Sequence, residues 1–380
     1  MVNSNANALG IIFPNSYDNL VPELVTERLM ASIPFASRYR MVDFILSSMV
    51  NCGIGNVSII VRKNYHSLMD HLGSGREWDL TRKNGGLNIV PPFAEKGVAV
   101  YNGRVEALAS IIAFLKSQKE KYVVMSDANI AVNFDFKALI DAHIESGADV
   151  TVAYKEEPIP AGVMDSPTVS KDLYYTLGIE DGRVKKIYIN SKEPGVQNLS
   201  MNIYVIDREF LIDQISTAFV RGYVYFERDI LAPQISELNV QAFKFDGYVA
   251  RISDMKSYFD ENMKLLDDEN LDGLFAGNSI YTKIRDDNPT RYINGASAKN
   301  IMAADGCVIE GEVEDSILFR GVKIAKGAKV KNCVLMQGTV IEAGADIEYV
   351  ITDKNVTITA DKELKGTDSF PVYVAKHQVV

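Results

Sequence analysis

The chain has 380 residues, 47% of them hydrophobic and 24% charged, and a formal net charge of -10 at pH 7. That length exceeds what one hydrophobic core usually fills, so two domains are expected, and the acidic balance argues against a nucleic acid partner, which would need a basic face. No apolar run is long enough to span a membrane, and Met1 to Asn7 lacks the basic and apolar stretches of a secretory signal, so a cytoplasmic protein without a membrane partner is expected.

Ala8 to Phe13, Asn56 to Val61, Tyr122 to Met125 and Val150 to Tyr154 are apolar or β-branched runs of strand length. Between them, Arg40 to Asn51 and Arg104 to Lys119 carry apolar residues at helical spacing, as does Lys256 to Leu266 further on. Strands separated by helices predict βαβ units with helices on both faces of a sheet. Three cysteines, Cys52, Cys307 and Cys333, form neither an even disulfide framework nor a close metal-binding pair.

Near Arg291 the pattern changes. Apolar residues recur every sixth position, in one column as Leu318, Ile324, Val330 and Met336 and in another as Val322, Ala328, Val334 and Val340. Gly321, Gly327, Gly338 and Gly344 punctuate them. A hexad forms one flat side of a triangular coil, so this repeat predicts a β-solenoid whose stacked sides bury two apolar columns. The expected division is a first domain over 1–265, a linker over 266–290, and the hexad domain over 291–380.

The stretch from Arg40 to Ile54, R-M-V-D-F-I-L-S-S-M-V-N-C-G-I, resembles the R-I-I-D-F-x-L-S-N-x-x-N-S-G-I signature of bacterial ADP-glucose pyrophosphorylases, the glucose-1-phosphate adenylyltransferases. Further matches follow in the family's order. Gly103 and Ala107 fall where it has G-T-A-D-A, Ser126-Asp127 resembles its strand-ending G-D, and Ser200 to Val205 is similar to its S-M-G-I-Y-V. Gly306 to Gly311 resembles the opening of its hexad domain. The resemblance implies a Rossmann-like nucleotidyltransferase domain with a mixed or parallel sheet, followed by a left-handed parallel β-helix. It also implies the reaction of ATP with glucose 1-phosphate to ADP-glucose and pyrophosphate, which needs phosphate-cradling amides, cations and a carboxylate-held Mg²⁺.

Set against that pattern, the chain has lost the reacting groups. Where the family has G-G-x-G-x-R-L, Phe13 to Leu20 offers no glycine, a proline without an amide, and Asp18, whose charge repels phosphate. In place of R-A-K-P-x-V-x-F stands Arg28 to Phe35, with Met30 at the lysine position, and Phe93 stands near the family's adenine-edge glutamine. Asp127 matches one of two Mg²⁺-holding aspartates, but aligning Tyr258 and Asn262 puts Arg251 at the other, with Asp254 close enough in sequence to deputise. Mg²⁺, expected of the family, is therefore predicted to be lost, and no catalytic residue is intact at Met30, Asp127 and Arg251.

Residues left for a vestigial substrate or effector site are Arg28, Arg38, Arg40, Gly103, Lys192 and Ser200. Two readings stand side by side for the arginines: an anion site for a phosphorylated effector, as the family's matching arginine suggests, or structural ion pairs such as Arg40 with Asp43. Asp127 likewise either caps the loop after its strand or keeps a ligand role. Lys323, Lys326, Lys329 and Lys331 are expected as solvated surface, Trp78 as packing, and none of the four histidines fits a metal or nucleophile motif.

This pattern of losses resembles the GlgD-type glycogen-biosynthesis subunits. It implies a regulatory chain that activates a catalytic ADP-glucose pyrophosphorylase subunit in a hetero-tetramer, with a homo-oligomer and a small anionic effector as further expectations. The alternatives are an active but divergent nucleotidyltransferase making ADP-glucose or another nucleotide sugar, and an acyltransferase working through the hexad domain. The latter usually needs a coil histidine, and residues 291 to 370 contain none.

Overall fold

A computed structural model describes residues 6–92, 101–161 and 173–380; the Phe93 expectation lies outside them. Among the described residues, a nine-stranded sheet runs in the order Gly86–Val90, Asn56–Ile60, Ala8–Phe13, Tyr122–Asp127, Val196–Asp207, Val150–Pro158, Val240–Lys244, Arg183–Ile189, Tyr175–Glu180. The first four are mutually parallel, while Val196–Asp207 is antiparallel to both neighbours, so the sheet is mixed. Strand alternation divides the core: Ile12 and Val124 pack with Leu46 and Phe136 on one face, and Ile11 and Val123 pack with Leu108 and Leu211 on the other.

The helix Met41–Asn51 starts where the Asp43 carboxylate accepts the Arg40 backbone N–H at 3.0 Å, and it stops at Gly53, whose φ of 84° suits the left-handed end of a helix. The expected helix over Arg104 to Lys119 is two, Arg104–Ala109 and Ile112–Ser117. Within 266–290, expected as a linker, the chain forms a helix at Asp268–Phe275, whose Phe275 ring packs 5.1 Å from Tyr39 and 5.9 Å from Phe44.

From Arg291 on, short parallel strands stack coil upon coil. The vertical neighbours differ from the hexad columns read in the sequence. Residues six apart lie on successive sides, and the stacked partners stand a full coil apart: Ile309, Ile324, Ile341 and Ile358 in one ladder, Ile317, Val334 and Ile351 in another. The column residues are buried except Val340, which is half-buried. Corners repeat in backbone as well. Gly338 sits over Asn355 and Gly344 over Asp361, all four at positive φ. Met30, Phe35, Tyr258 and Phe259 share one buried cluster with Ile317, Val334, Met336 and Ile351, so the two regions meet through a common core.

Candidate functional site

A cavity of about 720 Å³ opens beyond the carboxyl ends of the parallel strands Ala8–Phe13 and Tyr122–Asp127, where open α/β sheets place their ligands. The loop after Phe13 lines it with Asn15, Ser16, Tyr17 and Asn19, without a glycine. Pro14 has no N–H, and Asn15 turns inward, accepting the Arg62 backbone N–H at 2.8 Å and donating to Asp18 at 2.8 Å. Asp18, 2% exposed, also accepts the Met30 N–H at 2.8 Å, yet burial outweighs these donors and pushes its carboxyl up to about 6. Tyr17, at a left-handed φ of 65°, donates to the Leu173 carbonyl at 2.8 Å. Burial, with Asp127 beside it, raises the Tyr17 phenol well above its ordinary range.

Asp127 ends its strand with 1% exposure and both of its carboxylate oxygens bonded by the protein. Ser16 Oγ donates to Oδ1 at 2.6 Å, and Asn202 Nδ2 and Arg104 Nη2 donate to Oδ2 at 2.9 and 2.6 Å. Arg104 also pairs with Glu227, and its guanidinium lies over the rings of Phe13 and Tyr204 at 5.2 and 5.5 Å. Burial works against the Arg104 charge, but Asp127, Tyr204 and Tyr17 together outweigh it, and the guanidinium holds its proton more firmly than a free arginine does. A Mg²⁺ ion does not fit this arrangement, because the carboxylate it needs faces a fixed cation. Among the described residues, no group of three or more His, Cys, Asp or Glu side chains could hold a metal ion.

Sequence reasoning singled out Asp127 and missed its partners. The signal was present in the comparison itself. Arg104 stands where the family pattern G-T-A-D has threonine, and Asn202 where S-M-G-I-Y-V has glycine. Asn202 keeps a φ of 55°, a conformation that asparagine tolerates better than most residues, and forms a bulge that shifts the register of its strand between Ser200 and Ile203. The bulge turns its amide onto Asp127 and onto the Tyr17 hydroxyl, 2.7 Å away.

The other expected site residues are scattered. Arg251, expected as the charge reversal beside Asp127, lies in a strand paired with Ile130–Ala131 and bonds Glu157 at 2.8 and 2.9 Å, so the cation on Asp127 is Arg104 instead. Asp254 caps the helix Met255–Met263 by accepting the Ser257 N–H at 2.6 Å, which takes up the carboxylate that could have deputised. Met30 is fully buried in the shared core. Ser200 bonds within its own bulge, accepting the Asn202 N–H at 3.1 Å, and Lys192 is exposed. Gly103 borders the cavity, where a Cβ would meet the Val224 carbonyl oxygen at 2.3 Å.

The arginines gather at the boundary between the regions. Arg28 forms a bidentate pair with Asp353, Arg40 donates to the Ser67 carbonyl at 2.6 Å, and exposed Arg38 lies over the Tyr39 ring. The Asp43 carboxylate, considered for Arg40, accepts that residue's backbone N–H and approaches buried His71 at 2.6 Å. Lys354 joins this group. Burial first, then Arg40 and Arg28, pull its ammonium down to about 7, against the opposing pull of Asp353. Trp78 is buried with its N–H on Ser47, as packing requires, and the four coil lysines are exposed. No helix among the described residues is long and apolar enough to cross a membrane.

A mixed sheet with a cavity at its parallel strand ends, joined to a hexad coil, defines a protein of the nucleotidyltransferase class. Residues 23–268 match the nucleotidyl transferase family, and residues 284–369 match the C-terminal hexapeptide family of GlmU-like proteins. The chain is 33% identical over 374 residues to the glycogen biosynthesis protein GlgD of Bacillus subtilis (strain 168), covering 98% of this chain and 96% of that protein. It is 36% identical over 333 residues to the GlgD protein of Geobacillus stearothermophilus, covering 86% and 83%. To the glucose-1-phosphate adenylyltransferase of the same organism it is 31% identical over 317 residues, covering 81% and 79%. The chain belongs to the nucleotidyl transferase family, in the group formed by the bacterial glucose-1-phosphate adenylyltransferases and the GlgD proteins.

Proposed function

We propose that this chain is a non-catalytic or weakly catalytic regulatory subunit of glucose-1-phosphate adenylyltransferase in glycogen biosynthesis, which activates a catalytic sister subunit. The observation that carries this reading is the engagement of Asp127. Its carboxylate is held by Arg104, Ser16 and Asn202, and the fixed guanidinium stands where a metal-bound triphosphate would need its cation. The names of its relatives, GlgD proteins and glucose-1-phosphate adenylyltransferases, supply the pathway.

Purified protein given ATP, Mg²⁺ and glucose 1-phosphate should release almost no pyrophosphate; turnover near the usual enzyme range of about 1 per second or more overturns the reading. Mixed with an active pyrophosphorylase from its own source, it should co-purify as a hetero-tetramer and raise that enzyme's activity. A chain that remains separate and silent has no such role. Homo-oligomers are expected of the chain alone, because a solenoid exposes strand edges that association protects.

Three finer features belong to the same reading: a left-handed coil, a cytoplasmic location and an anion site. Exposed Arg38 and half-buried Arg40 and Lys354 carry the last, as cations at the boundary that a phosphorylated effector would neutralise. A second reading, a divergent nucleotidyltransferase, draws on Arg62 and Lys63, which border the cavity and form no ion pair among the described residues. Binding of a nucleoside triphosphate by calorimetry would favour it.

A further inference from the structure

Asp127 and Glu227 come from distant parts of the chain, one at the end of a central strand and the other in the helical turn Phe226–Leu231. Both are buried, at 1% and 3% exposure. Two buried carboxylates that meet the same guanidinium are like charges whose repulsion a positive charge between them offsets. Arg104 provides it, one amino group on Asp127 and the other on Glu227. Neither carboxylate has another ion-pair partner among the described residues.

The backbone is built to bring this cation in. Gly103 precedes the helix Arg104–Ala109 and lies so near the Val224 carbonyl that only a residue without a side chain fits. The next amide but one, Val105 N–H, donates to that carbonyl at 3.1 Å, which draws the first helical turn against the segment bearing Glu227. The Phe13 and Tyr204 rings then hold the planar guanidinium in place.

We propose that Arg104 is a tethered counter-ion filling a latent divalent-cation seat whose ligands are Asp127 and Glu227, with the Ser16 hydroxyl beside them. It is a built-in cation, so the natural chain balances its buried charges without a metal and is indifferent to Mg²⁺. Without the guanidinium, the two carboxylates that share it lose their cation, with the Ser16 hydroxyl bonded to one of them, and these are the hard oxygen donors that a divalent ion of the Mg²⁺ or Mn²⁺ type requires. This deepens the reading that Asp127 is unavailable for catalysis, and its test reads ion binding rather than turnover.

The experiment is calorimetry and thermal melting of the full-length chain with MnCl₂, in wild type, Arg104→Ala, Arg104→Lys and the double variant Arg104→Ala with Glu227→Gln. Wild type and Arg104→Lys should show no ion binding at this site. Arg104→Ala should gain one Mn²⁺ per chain, weakened by about tenfold or more in the double variant, the scale on which loss of a supporting group lowers metal affinity. If Arg104→Ala is too unstable for calorimetry, Mn²⁺ must raise its melting temperature where an equal ionic strength of NaCl does not. An Arg104→Ala chain that neither binds nor is stabilised by Mn²⁺ overturns the proposal, as does equal binding by Arg104→Lys. Failure here leaves the regulatory reading standing, because wild-type inactivity is measured separately; wild-type turnover would end that reading without touching Mn²⁺ uptake by the variant.

Discussion

Arg28 and Asp353 meet across the boundary of the two regions in a bidentate pair at 2.6 and 2.9 Å, with side chains only 4% and 5% exposed. The Tyr373 hydroxyl adds a bond to the same carboxylate at 3.0 Å, and Arg28 Nη1 also approaches Met336 Sδ. Arg28→Ala strands a buried carboxylate, a loss of about 3–5 kcal/mol by the usual cost of breaking such a pair. Urea unfolding should show this loss. Replacing both partners with apolar residues of similar volume should cost clearly less than either single change, and equal costs would argue that the pair is not what holds the boundary.

Lys354 gives the boundary a pH dependence. Its ammonium is pulled down to about 7 in the folded chain, against about 10.4 for an unfolded lysine. Between those values the unfolded chain binds more protons, so this group's penalty is complete below about pH 7 and is relieved as pH rises towards 10. Lys354→Met should therefore melt higher than wild type at pH 7, with the gap closing by pH 10. A gap that stays constant across that window would show that the amine is not depressed.

Asp18 works in the opposite sense. Its folded carboxyl sits at about 6 because burial outweighs the bonds from Asn15 and Met30, whereas an unfolded aspartate titrates near 3.9. The folded chain thus takes up its proton first, and this group adds stability as pH falls from about 6 to about 4. Wild type should gain on Asp18→Asn over that interval in thermal melts. Parallel curves would place Asp18 in a wetter setting than the buried one seen here.

Two glycines separate conformational cost from contact cost. Gly344 has a φ of 75°, and a Cβ there would lie 2.1 Å from the Asp361 carboxylate; Gly147 has a φ of 57° with nothing within 4 Å. Alanine at Gly147 should cost about 1–2 kcal/mol for the left-handed backbone alone. Gly344→Ala should cost measurably more in the same denaturation experiment, because the coil corner must also shift.

The sequence by itself marked several of the local elements. Apolar runs marked Ala8 to Phe13 and Tyr122 to Met125, which lie in strands Ala8–Phe13 and Tyr122–Asp127, helical spacing marked Arg40 to Asn51, and the hexads marked the coil, because period and capping act over a few neighbouring residues. It also marked Asp127, Met30 and Arg28 as positions of interest. Only the tertiary structure decided which partners these residues have: Asp127 is linked through Arg104 to Glu227, Met30 is committed to the core, and Arg28 pairs with Asp353. The physical reason is that a buried charge takes whichever opposite charge the packed chain sets beside it. That choice depends on where loops and domains come together, over separations that no local pattern records.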